Sequence, residues 1–526
     1  MKTKIFRLLF PAMVALLSVQ LYAKSENTFG PAVPETRSKA SIKHDLVCRF
    51  ETVGMAGSGE YAPFWHTSNR QGLPSVNRNS GFVHFAAMGS MLLPSGFVMG
   101  YGMDMGIGAS LQSGLFVHQL YIDLDYKWLR MSVGVKERWS ELKNPCLSSG
   151  GLTWSGNSKP IPQVRMETPD YVRIPLLGDW FSVKGHVAYG LFTDSKWRGR
   201  NPDARYTDGL LFHSKAAFIR FGDVERFPLH ATLGLEMYAQ FGGTMHNRGF
   251  SLSEAPMDEY KFPSGAREYL DILLPFNVAG EQTKENGNTL GSWHLSIDWI
   301  GEDWGCRAYY EHFFEDHSSM LGVEYKSDLN GKKEFVSYGF RRNWLDGLYG
   351  IEVNLPESLP VRNVLFEVLN TKGQCGPVYK PKSNSVIVEG VDGRDGYYYH
   401  EIYDSYSMWG YAIGNPAFIS PVYNDDDSQV FKSNRLIMVH AGLSGGIGSH
   451  FDYRFMFSYS KHWGTYDYPY YEVGEASSYM LEGAYRFGDA LGWRVGLSVG
   501  MDTGHGTPLG NNKGVMLSIS KLWRIL

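Results

Sequence analysis

The sequence predicts an all-β transmembrane barrel of the outer-membrane type: one domain of about 18 antiparallel strands, with large loops plugging or capping the lumen. Three observations carry this expectation. Hydrophobicity alternates with period two along most of the chain, short turns and very long connections separate the alternating runs, and after residue 23 no run of about 18 apolar residues offers a helical span.

The elements follow in order. Lys2, Lys4 and Arg7 precede the apolar stretch Leu8 to Val19, and Leu21-Tyr22-Ala23 ends it with a small residue, so residues 1–23 read as a secretory signal peptide. No cysteine follows the apolar run before Cys48, which argues against a lipid anchor. Residues 24–45 are expected as a short periplasmic segment and 46–526 as the barrel. In the barrel, Trp293, Leu295, Ile297 and Trp299 alternate with His294, Ser296 and Asp298, and Trp493, Val495, Leu497, Val499 and Met501 alternate with Arg494, Gly496, Ser498, Gly500 and Asp502. The polar partners are small or of mixed charge, as a crowded lumen requires, and aromatics such as Trp299, Trp463 and Trp523 sit at strand ends where an interfacial girdle would lie. Turns such as Gly301-Glu302-Asp303 contrast with long loops expected over 56–80, 139–180, 193–210, 242–289 and 372–433. Within the fourth of these, Ser264 to Phe276 predicts a helix with Ala266, Tyr269, Leu270 and Leu273 on one face.

Composition removes several function classes. Lys plus Arg total 50 against 54 for Asp plus Glu, a balance unsuited to phosphate-backbone binding, so no nucleic acid partner is expected. Aromatics make up 14% and glycines number 60, whereas the four cysteines form no C-x-x-C pair. Gly442 to Gly446 matches G-x-S-x-G, but it closes an alternating run and reads as strand rather than as a nucleophile turn. His312, Asp316 and His317 read as a strand end and turn in preference to a metal site, and Asp425 to Asp427 as a solvated acidic loop. No catalytic triad, metal or cofactor is expected.

The loops carry the functional signal. Trp65, His66, Asn69 and Arg70 cluster in one loop, Trp154 and Asn157 in a second, and Arg394, Asp395, Tyr397 and Tyr398 in a third. Sugar rings stack their apolar faces on aromatics and need Asn, Asp or Arg for their hydroxyls, so these ten are the candidate glycan contacts. The same residue types also suit packing of the loops against one another or against the wall.

Six motifs together resemble the Wzi family of outer-membrane capsule-assembly proteins in its Bacteroidetes-like form, over about residues 46–526. They are Ala62-Pro63-Phe64-Trp65 with Ser68-Asn69-Arg70, Gly150-Gly151-Leu152-Thr153-Trp154 leading to Pro160-Ile161-Pro162, and Asn288-Thr289-Leu290-Gly291-Ser292. The others are Tyr310-Glu311-His312 with Glu315-Asp316, Asp346-Gly347-Leu348-Tyr349-Gly350, and Gly393-Arg394-Asp395-Gly396-Tyr397-Tyr398. The resemblance implies an 18-stranded barrel with a loop-filled lumen, acting without catalysis as a lectin-like receptor that retains capsular or exopolysaccharide at the cell surface. Its partners would be that polysaccharide, outer-membrane lipid and the polysaccharide export machinery. A channel for small solutes is the competing function. The chain departs from the family in having only residues 24–45 where relatives carry a periplasmic helical bundle, and in Cys375 where a serine is expected.

Overall fold

The computed structural model describes residues 44–525 apart from 94–95, 175–177, 202, 224–225, 248–258, 274–286, 316–319, 321–322, 328–332, 339–344, 375–394 and 489–490. The expected signal peptide and nearly all of the expected periplasmic segment lie outside the described residues. The first strand begins at His44.

Eighteen strands form one closed antiparallel sheet: β1 His44–Ser58, β2 Ser80–Leu92, β3 Val98–Ala109, β4 Leu115–Tyr126, β5 Leu129–Val135, β6 Gln163–Glu167, β7 Phe181–Leu191, β8 Leu211–Phe221 and β9 Leu229–Phe241. They continue as β10 Asn288–Ile300, β11 Gly305–Phe314, β12 Gly347–Asn354, β13 Val361–Asn370, β14 Leu436–Ile447, β15 Phe451–Gly464, β16 Pro469–Phe487, β17 Trp493–His505 and β18 Asn512–Arg524. Each pairs with the next, and β1 pairs with β18 from Val47 opposite Arg524 to Ser58 opposite Lys513, which closes the cylinder. Closure leaves no unpaired sheet edge in lipid, the condition a sheet must meet to span a bilayer. The short pair Val172–Arg173 prolongs β6 along β7 after a break. No helix among the described residues is long and apolar enough to cross a membrane.

The two faces of the wall have opposite chemistry. On β17, Leu497 and Val499 are each 51% exposed, while Ser498 and Asp502 between and beyond them are 1% and 2% exposed. The same inversion holds on β10, where Leu295 and Ile297 face out and Ser296 and Asp298 are buried. Apolar side chains therefore meet lipid and polar ones meet the interior, as the alternation predicts. Aromatics gather at one rim: Phe97 stacks on Tyr126 at 4.5 Å, Trp299 on Trp304 at 6.3 Å, and Phe181 meets Phe221 at 5.3 Å. This is the rim of the short turns, such as 127–128, 301–304 and 448–450, and hence the periplasmic one. The opposite, extracellular rim carries connections 59–79, 136–162, 192–210, 242–287, 315–346 and 371–435.

Two expectations shift. Residues 139–180 are not one loop, because β6 lies within them; Val164 and Met166 point outward while Gln163 is buried. The helix α3 spans Ala266–Leu273, preceded in the chain by two one-turn helices, α1 Phe64–Thr67 and α2 Ser195–Arg198. Its inward face is Tyr269 and Ile272 against Phe241, with Ala266 and Leu270 left exposed. A helix tucked beside one wall needs only a narrow apolar stripe, narrower than the four-residue face expected.

Candidate functional site

Three extracellular loops enter the barrel and fill it. In the first, Ala62-Pro63-Phe64-Trp65 lies on a wall kept bare by glycine: a Cβ on Gly500 would sit 2.7 Å from Pro63 Cβ, and one on Gly514 2.8 Å from Pro63 Cδ. The start of α1 is pinned by the Phe64 amide donating to Asp502 Oδ2 at 2.9 Å, and His66 Nε2 lies 3.0 Å from Ser498 Oγ. Burial, then the nearby Arg70 guanidinium, pushes His66 down to about 3, so its ring is neutral. Arg70 Nη2 reaches Glu482 Oε2 at 2.7 Å, an oxygen that Arg454 Nη2 also holds at 2.8 Å.

The second loop goes deepest. Asn144 Nδ2 donates to Glu352 Oε1 at 2.7 Å, and the Cys146 carbonyl accepts from Arg454 Nη1 at 2.7 Å. Glu352 and Arg454 both lie near the periplasmic ends of their strands, so this loop crosses most of the lumen. Two buried wall glutamates then catch the segment 148–153. Glu367 accepts from Ser148 Oγ at 2.6 Å and the Ser149 amide at 2.7 Å. Glu311 accepts from the Leu152 amide at 2.8 Å and the Thr153 amide at 3.2 Å, and pairs with Lys143 Nζ at 2.5 Å. Carboxylates matched by amides and an ammonium are the form in which charge survives burial.

The third loop, 371–435, covers the second. Asn415 Nδ2 donates to the Gly150 carbonyl at 2.6 Å, Tyr406 Oη to that of Thr153 at 2.8 Å, and Asn157 Nδ2 to that of Ala412 at 3.0 Å, while Tyr398 Oη reaches the Leu152 carbonyl. Around these bonds Trp154, Tyr238, Phe313, Tyr397, Tyr398 and Phe418 pack into one apolar cluster.

The expected aromatic site residues therefore divide between two buried clusters. Trp65 packs with Phe64 and Tyr423 beside the β15 and β16 wall, and Trp154 stacks on Tyr238 at 5.4 Å, while Tyr397 and Tyr398 meet Phe313. Asn69 Nδ2 donates to the Ser149 carbonyl at 2.9 Å, and its amide to Asn157 Oδ1 at 3.2 Å, joining the first two loops. The Asp395 amide donates to the Gln374 carbonyl at 3.2 Å. Arg394 lies outside the described residues, as do Asp316 and His317. His312 Nδ1 donates to the Asp346 carbonyl at 2.9 Å, and Ser444 stands within β14. In this arrangement Trp65, Trp154, Tyr397 and Tyr398 touch protein on every side.

A groove that the sequence did not announce opens at the extracellular end of β4. There β5 stops at Val135, opposite Leu120, leaving Leu115 to Gln119 without a paired strand on that side. The notch holds a cavity of about 300 Å³ lined by Gln112, Leu115, Lys159, Pro160, Trp409 and Tyr411, among others. Trp409 and Gly410 form a two-residue turn between Ser407–Met408 and Tyr411–Ala412, with φ of 54° and 79°. Both angles are those of a primed hairpin turn, where a bulky first residue is disfavoured. Gly410 is dictated by contact as well, since a Cβ there would collide with the Trp197 ring. The turn presents the partly buried Trp409 ring to the groove, with Lys159 Nζ 4.6 Å from its centroid. Gln112 Nε2 donates to the Trp409 carbonyl at 2.5 Å, and its Oε1 has no partner among the described residues. The tryptophan-glycine pair after a polar run was the one sequence signal that could have marked this place.

No family model and no curated protein matches the chain. Among solved structures it is similar to Wzi of Escherichia coli, an outer-membrane protein involved in group 1 capsule assembly and a carbohydrate-binding β-barrel, with a TM-score of 0.53 at 12% identity over 90% of this chain and 83% of that one. The chain is an outer-membrane β-barrel. Wider matches include OprD of Pseudomonas aeruginosa, with a TM-score of 0.43 at 9% identity over 92% of this chain and 96% of that one. OccAB4 of Acinetobacter baumannii gives 0.45 at 9% over 93% and 100%.

Proposed function

We propose that this barrel retains a capsular or extracellular polysaccharide at the cell surface, as a lectin-like protein without catalytic activity. The observation that carries the reading is the loop-filled lumen: the loops are bonded to the wall down to Glu352 and Arg454, and at the surface they offer a groove floored by Trp409. The likeness to a carbohydrate-binding barrel supports it. An aromatic face in a groove with polar lining suits a pyranose, which presents C–H groups on one side and hydroxyls at its edge. In this reading Trp65, Asn69, Arg70, Trp154, Asn157, Tyr397 and Tyr398 serve by holding the loops that shape the groove, and the polymer arrives from the export machinery.

Deletion of the protein should move surface glycan from cell-bound to released fractions with total synthesis unchanged. Trp409→Ala, in a barrel shown to fold by its heat-modifiable gel migration, should do the same in part. Loss of one stacked ring costs about 0.5–1.5 kcal/mol per site, and a repeating polymer engaging many copies multiplies that loss. Unchanged cell-bound glycan in the deletion strain, with solute conductance through the purified protein, would instead support the channel reading.

A further inference from the structure

We infer that the groove selects an acidic polysaccharide, with Lys159 as the cation that receives a sugar carboxylate beside Trp409. The inference rests on the glycan-retaining function proposed above and names the chemistry of its ligand.

Charge accounting within the molecule points this way. The buried cations of the first two loops are matched: Arg70 by Glu482 and Lys143 by Glu311, both within 2.7 Å. Lys159 is the exception. It has no carboxylate partner among the described residues, and no Asp or Glu lines the groove. The other ionisable lining groups are already engaged, His118 by Glu137 Oε1 at 2.7 Å and Tyr411 by the Pro74 carbonyl, to which its Oη donates at 3.0 Å. Burial alone pushes Lys159 down to about 8, so its ammonium is held partly desolvated with only the Trp409 face for company. A cation kept in that state gains much from an incoming anion, because the cost of stripping its water has been met in the free protein.

The size and number of charges narrow the class. At about 300 Å³ the cavity lies at the small end of ligand sites, enough for a single sugar unit of a chain that continues outside. One ammonium, with no arginine in the lining, matches the single charge of a carboxylate, whereas phosphate dianions are usually met by clustered or bidentate arginine. The carboxylate would sit on Lys159 and a ring face on Trp409, the two features that the groove offers. A uronic acid, or another sugar bearing one carboxylate, supplies both contacts.

The test uses the full-length protein in detergent and the surface polysaccharide released by the cell's own deletion strain, native and after carboxyl reduction, which turns each uronic acid into its neutral hexose. Native polymer should bind at least about tenfold more tightly than reduced polymer at low ionic strength, and the gap should narrow as salt is raised. Lys159→Gln should bring native polymer down to the level of the reduced form, and Lys159→Arg should keep the gap. Equal binding of the two polymers by the wild-type protein, a gap that survives Lys159→Gln, or a native polymer that contains no acidic sugar would overturn this inference and leave glycan retention standing. Binding of neither polymer would overturn both readings.

Discussion

Glu311→Ala will open the barrel. In the wild-type protein this carboxylate receives two backbone amides of the loop segment Leu152–Thr153 and the Lys143 ammonium, with the two charged side chains 1% and 2% exposed. Alanine removes all three contacts and strands the buried Lys143 ammonium without its carboxylate. Breaking a buried pair by deleting one member costs about 3–5 kcal/mol, most of it the penalty of the orphaned charge. The barrel wall is spared, since β11 keeps its backbone ladder to β10 and β12. The loss therefore falls on loop 136–162, which can relieve it by leaving the lumen. Planar-bilayer recordings should show little conductance for the wild-type protein and discrete open steps for the variant, with heat-modifiable migration retained. Glu311→Gln, which still offers an acceptor to the amides, should fall between. Adding Lys143→Met to Glu311→Ala should restore much of the closure, because it removes the stranded charge. Equal conductance and equal protease resistance of the loop in wild type and Glu311→Ala would show that the pair does not hold the plug.

The wall was legible in the sequence because lipid and lumen impose opposite demands on successive residues. Wherever a strand is long enough to repeat that contrast, as in Trp493 to Asp502, the faces follow directly. The contrast fails as a signal where strands are short. β6 is five residues long, and Val164 and Met166 alone did not stand out from the surrounding loop. The motifs Ala62 to Trp65 and Gly150 to Trp154 marked real structural joints, one against glycines of β17 and β18 and one against Glu311, but their positions inside the barrel depend on contacts between segments hundreds of residues apart.

The groove was less legible, for a chemical reason. Aromatics beside Asn, Arg and Asp satisfy a sugar and satisfy a packed loop equally well, so composition cannot separate the two roles. Burial separates them. Trp154 spends its ring on Tyr238 and is buried, whereas Trp409 is placed by its turn at a cavity and stays partly exposed. Lys159 carried no signal at all in sequence, since its meaning lies in the absence of a carboxylate around it, and that is a property of the folded neighbourhood.

Leu497→Arg will destabilise the barrel in lipid by about 2–4 kcal/mol, the cost of a charged side chain on the lipid face at the bilayer midplane. Leu497 is the central member of the outward row Trp493, Val495, Leu497, Val499 and Met501, and lies opposite Leu517 of β18 and Gly483 of β16. No cross-strand carboxylate is there to receive the guanidinium, and the backbone register is fixed on both sides, so the strand cannot slip to bury it. Depth is the discriminating variable. Trp493→Arg at the periplasmic end, where Trp493 already lies 5.3 Å from the Lys521 ammonium, should cost only about 0–1 kcal/mol from the introduced charge, because an arginine there reaches headgroups. Urea titration of folding into vesicles reads both values. A flat response across the two positions, or a Leu497→Arg variant as stable as wild type, would mean that this face of β17 does not meet hydrocarbon.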